Sequence, residues 1–273
     1  MQMIRSLLLQ SPSRAHFKNT ISVVFSMLLF SGVALGQKAA APVKPVEEEK
    51  HDDLEAIVLA KLNTIIIPLV IFEDTKIEEA IDFLRVRSWE LDLNEKKMEN
   101  RGFRFVIRKP HAAFDEANGP KICSLQLHNV PLVSVLKYIC LLTNHHFYID
   151  EGAIVISPKT EGAKEALIPV NQVAREELIK RLNAITIPQV DFNNVSIDEA
   201  VNSLLSKSRW RDPQNKEAIN FVVGQPIGDK KTVIKQLQMN EATLYQALKS
   251  MCEAVGYDFT VDDAAVILMP QKK

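Results

Sequence analysis

Few side chains in this sequence are spaced for chemistry. Cys140 and Cys252 fall at matching places in two apolar helical stripes, and two thiols brought together could cycle through a disulfide. Matched positions in two separate cores need not meet, so the favoured reading is two small buried residues, one per core. Cys123 makes the cysteine count odd, at three, and there is no C-x-x-C; neither a disulfide framework nor a zinc ribbon is indicated. His145 and His146 open a strand pattern. Neighbours on a strand point to opposite faces, so the two are badly arranged for one metal ion and read as surface or turn residues. Glu78 and Glu79 lie in the first turn of a helix, where carboxylates suit the positive helix end. The expectation is that no Gly-rich phosphate loop, H-E-x-x-H, G-x-S-x-G or S-x-x-K occurs. No catalytic residue, cofactor-binding residue or metal ligand is assigned, no cofactor is expected, and the chain is read as a non-enzyme.

The elements that carry these residues occur twice. The segment Leu62, Asn63, Ile65, Ile67, Pro68, Val70, Phe72 returns as Leu182, Asn183, Ile185, Ile187, Pro188, Val190, Phe192, an offset of 120. The match runs on through Ile77, Glu79, Ala80, Leu84, Ser88 and Asp92, which meet Ile197, Glu199, Ala200, Leu204, Ser208 and Asp212. Phe105-Val106 meets Phe221-Val222 at offset 116, and Leu132, Lys137, Cys140, Phe147, Asp150 and Ala153 meet Leu244, Lys249, Cys252, Phe259, Asp262 and Ala265 at offset 112. Both four-residue steps fall in polar stretches, where loops shorten at little cost.

Each copy reads as helix–strand–helix–strand–strand–helix–strand–strand. The first strand carries Pro68 or Pro188, which predicts an edge position or a bulge. The next helix follows a capping signal, Thr75-x-x-Glu78 or Ser196-x-x-Glu199, and has apolar residues at helical spacing. Glu151-Gly152 and Asp262-Asp263 suit hairpin turns between the last two strands. The expected class is α+β: two tandem copies of a small split α/β domain, helices on one face of a small mixed sheet.

The 273-residue chain has a formal net charge of −1, so it lacks the basic surplus that nucleic-acid binding needs. Residues 1–36 carry Arg5, Arg14 and Lys18, then an apolar run from Ile21 to Leu35 that is short of the about 20 residues of a bilayer span. Basic, apolar and small residues in that order predict a signal peptide, hence a periplasmic or otherwise exported protein. Membrane contact is expected only if that segment stays uncleaved. Residues 37–51, rich in Ala, Pro, Lys and Glu, read as a flexible linker. The expected domains are residues 52–159 and 174–273, joined by a second linker over 160–173.

The hydrophobic pattern resembles the secretin and TonB short N-terminal domain (STN), found in the periplasmic N-terminal region of secretins. The resemblance is carried by Val70-x-Phe72, Ile77-x-x-Ala80-Ile81-x-x-Leu84, Leu125-x-Leu127, Val130-Pro131-Leu132-x-x-Val135-Leu136 and Phe147-x-Ile149 with Ala153-x-Val155-Ile156, each with a counterpart in the second copy. It implies a tandem protein–protein interaction module without catalytic activity, docking to a secretion or signalling component of the cell envelope. The sequence carries no secretin barrel after the repeats, so pore formation is not part of the expectation. The alternative expectation is a periplasmic small-molecule or glycan-binding protein with a pocket between the repeats.

Four residues are the candidates for partner binding. Leu69 and Ile71 alternate with the core-facing Val70 and Phe72, so they should face outward; their counterparts are the polar Gln189 and Asp191. Trp89 and Trp210 follow helix ends, where an exposed indole anchors an interface or, as the favoured reading, packs under a loop. The other repeat or the opening helix is the expected cover for Leu69 and Ile71.

Overall fold

Alternation shapes the first long strand. Ile65, Ile67, Val70 and Phe72 are buried, whereas Ile66, Leu69 and Ile71 are exposed. The alternation slips at Pro68, which has no N–H for a ladder, and slips again at Pro188. Opposite these prolines, Asn129 and Glu241 adopt positive φ (50° and 49°), so both ribbons kink at the same place.

The computed structural model describes residues 48–109, 119–160, 164, 166–212, 218–225 and 232–271. The first half runs α1 (Glu48–Thr64), β1 (Ile66–Lys76), α2 (Ile77–Leu91), β2 (Phe105–Ile107), β3 (Lys121–Pro131), α3 (Leu132–Leu142), β4 (His145–Asp150) and β5 (Ala153–Pro158). The second runs α4 (Gln172–Ala184), β6 (Thr186–Ser196), α5 (Ile197–Arg209), β7 (Phe221–Val223), β8 (Val233–Thr243), α6 (Leu244–Val255), β9 (Tyr257–Val261) and β10 (Val266–Pro270). The class is α+β, with one order of elements occurring twice. The first helix already begins at Glu48, inside the stretch expected to be linker. The signal segment, residues 1–36, lies outside the described residues. No helix among the described residues is long and apolar enough to cross a membrane.

In each half the strands are divided between two sheets. β1 and β3 form an antiparallel ribbon, as do β6 and β8. β2, β5 and β4 form a mixed sheet, β2 parallel to β5, and β7, β10 and β9 repeat it. Registers agree under the sequence offsets: Ile66 faces Pro131 and Thr186 faces Thr243, shifted by 120 and 112. Gln126 of β3 also bridges Phe221 of β7, so one five-stranded sheet, β1-β3-β7-β10-β9, crosses from the first half into the second.

Helix starts differ in detail from the sequence signals. Ser196 caps α5 and Glu199 reaches back to its N–H, a full capping box. In the first copy the cap is Lys76, one residue later than the Thr75 signal, because it is Lys76 that aligns with Ser196. Lysine has no acceptor, so the box there reduces to Glu79 accepting from the Lys76 N–H at 3.1 Å. At the far end of α2, Gly102 sits at φ +71°, and a Cβ there would fall 2.9 Å from the Trp89 nitrogen. Only glycine allows that approach.

Two apolar cores result. One gathers the first half but includes Val222 and Ala265 from the second; the other belongs to the second half. The 160–173 segment also contributes, since Ala166 is buried in the first core and its N–H donates to the Phe147 carbonyl at 2.9 Å.

Candidate docking face

The outer face of β1 is apolar and open. Leu69 and Ile71 are 43% and 54% exposed, and Ile66 adds a third exposed apolar side chain on the strand. Neither the other repeat nor α1 covers Leu69 and Ile71, contrary to the expected internal packing. Across the ribbon, Leu69 stands opposite His128 and Ile71 opposite Gln126. The Gln126 and His128 side chains approach each other at 3.3 Å, giving the apolar pair a polar flank. β1 is an edge strand, yet Pro68 interrupts its row of N–H groups, so the face is better suited to docking than the edge.

The equivalent face of β6 is polar. Gln189 and Asp191 occupy the positions of Leu69 and Ile71, and Asp191 accepts from Gln238 across the ribbon at 3.3 Å. Lys207 of α5 donates to the Gln189 carbonyl at 3.1 Å.

The tryptophans do not join the β1 pair into one site. Trp89 lies within the last turn of α2 rather than beyond it, and its Nε1 donates to the Met98 carbonyl at 3.3 Å. Trp210 is the C-cap of α5, in the other half, and is 88% exposed rather than tucked under a loop.

The structure places the residues considered for chemistry as follows. Cys140 and Cys252 are buried in separate cores, and no disulfide forms among the described residues. Burial pushes the Cys252 thiol up to about 12, out of the nucleophilic range. His145 and His146 are both buried, which corrects the surface reading. The first strand residues of β4 are not an open turn: His145 Nδ1 lies 2.8 Å from the Thr143 carbonyl, and the chain returning at Ala166 bonds the strand. Burial lowers the His145 pKa, which favours the neutral ring. No group of side chains able to hold a metal occurs among the described residues.

Ser134 and Lys137 form an S-x-x-K, the spacing of a Ser–Lys dyad, which corrects the expectation that this motif is missing. Ser134 is buried, and Lys137 is committed elsewhere, its Nζ 2.5 Å from Asp262. Two other ion pairs escaped the sequence reading although their positions were matched between copies. Lys61 meets buried Asp92 at 2.6 Å, and Arg181 meets buried Asp212 at 2.5 Å. Each ties the first helix of its repeat to the end of the second. Burial pushes the Asp92 carboxyl up, but the Lys61 ammonium and the Gly102 N–H outweigh it and hold the carboxyl below its ordinary value.

A cleft of about 580 Å³ opens where the repeats meet, lined by polar groups including Asn63, Asn129, Asn171, Glu177 and Asp263, with no aromatic residue among the described residues of its wall. Asp263 Oδ2 accepts from the Asn171 N–H at 3.0 Å, and its Oδ1 is buried without a hydrogen-bond partner.

No protein family, no curated protein and no solved structure matches this chain. The functional reading therefore rests on these surfaces.

Proposed function

We propose that this chain is an exported cell-envelope protein that acts as a tandem protein–protein interaction module without catalysis, as its resemblance to the secretin and TonB short N-terminal domain implies. The observation that supports this reading is the open apolar face of β1, Leu69 and Ile71, beside a polar counterpart in the second repeat. Fully burying an aliphatic side chain stabilises a complex by about 1.5–3 kcal/mol, so the two half-exposed residues supply about 1 kcal/mol each when covered. The docking partner is another envelope protein presenting an apolar patch of similar size.

The test uses a partner recovered from the protein's own envelope extract, with its affinity then measured by calorimetry. Replacing Leu69→Gln together with Ile71→Asp, the residues of the second repeat, weakens binding at least tenfold. An unchanged affinity removes the β1 face from the proposal.

A small-molecule or glycan-binding role is the second reading, favoured by the cleft between the repeats and its unpartnered Asp263 oxygen. No aromatic ring lies among the described residues of that wall, which counts against a sugar. Thermal melting across cell-wall fragments and sugars tests it: a rise in Tm supports the reading, and flat melting ends it.

A further inference from the structure

The joint between the two repeats has two halves, and each half exists a second time at a free end. The back of the first repeat is the β3 edge with α3. The front of the second is β7 with the β9–β10 turn. They meet through the Gln126–Phe221 bridge and through Asn220, whose side chain accepts from the His128 N–H at 2.8 Å and donates to its carbonyl at 3.0 Å. Asp262 takes Lys137 at 2.5 Å and the Tyr138 hydroxyl at 2.8 Å. Val222 and Ala265 enter the first repeat's core, with Ile267 packed against it. Under this cover Leu125 and Leu127 are buried, and so is the α3 residue Tyr138.

The second repeat has the same back, and no described strand pairs with its outer edge. β8 pairs only with β6 among the described residues. Leu237 and Met239, counterparts of Leu125 and Leu127, are left half-buried, and Lys249, counterpart of Lys137, is exposed. The first repeat has the same front, and no described strand pairs with its outer edge. β2 pairs only with β5 among the described residues, and Val106 is 40% exposed where its counterpart Val222 is 0%. Asp150, counterpart of Asp262, is half exposed and lies 3.9 Å from Arg108. The two ends are thus complementary in shape class and charge: Val106 for the Leu237–Met239 gap, and Asp150 for Lys249.

We propose that copies of this chain associate head to tail, the β2 front of one docking on the β8 back of the next in the manner of the internal joint. The contact is heterologous, so it extends into a chain or closes into a ring. It is weaker than the internal joint for two reasons. Ser250 stands where Tyr138 does, and Arg104 stands where Asn220 does; an arginine donates but cannot accept from the facing backbone N–H. A free copy also lacks the tether, which supplies an effective concentration on the order of millimolar. The inference concerns the ends of the fold and does not depend on docking at β1.

The test is sedimentation velocity on the full chain over a wide concentration range. Wild type gains mass with concentration. Lys249→Glu and Asp150→Lys each shift association at least tenfold upward in concentration, because each sets like charges against each other. An equimolar mixture of the two variants regains the wild-type behaviour, since every contact between unlike copies is again an opposite-charge pair. A wild type of constant mass overturns the proposal. So does association that neither substitution alters, or a mixture that stays as weak as its parts. Circular dichroism on each variant confirms that these exposed substitutions leave the fold intact.

Discussion

The outward faces of β1 and β6 share length, register and a kink at proline, yet differ in chemistry. On β1 Leu69 and Ile71 are open to solvent; on β6 Gln189 and Asp191 are, with Asp191 bonded to Gln238. Their buried neighbours are the same, Val70 and Phe72 against Val190 and Phe192. Duplicated cores held by the same packing leave the outer residues free to diverge. The identity carries folding, and the proposed docking role rests on the difference.

What the copies share is where substitution costs most. Removing the acid from either buried ion pair strands a cation and breaks the tie between two helices. Asp212→Ala costs about 3–4 kcal/mol and Asp92→Ala about 2–3, because Arg181 grips its partner through two nitrogens and is less exposed than Lys61. Urea unfolding measures both, and a smaller cost at Asp212 breaks the equivalence. The Asp92 pair also carries a pH signature. Its folded pKa is lowered, so the stabilisation is complete above the ordinary value of 3.8 and is lost as pH falls through the folded value. The stability gap between wild type and Asp92→Asn should accordingly close in acid.

The second contrast is the cover over the two ribbons. Leu127 is fully buried and Met239 is not, so Leu127→Ala should cost about 3 kcal/mol and Met239→Ala about 1. Equal costs would mean that the second repeat does not seal the first. The smallest stability effect belongs to the faces themselves. Exchanging Leu69→Gln and Ile71→Asp changes unfolding free energy by less than about 0.5 kcal/mol, as for other exposed sites, while binding falls.

Local patterns made much of this legible. The order of elements followed from apolar periodicity, and the three offsets survive as strand registers. The outward direction of Leu69 and Ile71 followed from alternation alone. The misses are non-local. The division into ribbon and mixed sheet depends on which strands pair, and the β3–β7 joint depends on an Asn220 side chain meeting a backbone ninety-two residues away. Tyr138 bonds Asp262 of the neighbouring repeat, which no stripe on α3 could reveal. His145 and His146 were misread for a similar reason: the chain returning at Ala166 bonds their strand. The Lys61–Asp92 and Arg181–Asp212 pairs were visible as matched charges, and matched opposite charges in two repeats are a signal that could have been used.

The most direct test compares the two faces in the living envelope. A photoreactive side chain is placed in turn at positions 69, 71, 189 and 191 of the full chain, and cross-linked products are resolved after illumination. The account predicts one discrete protein adduct from positions 69 and 71 and none from 189 and 191. Equal adducts from both faces, or none from positions 69 and 71, would contradict it.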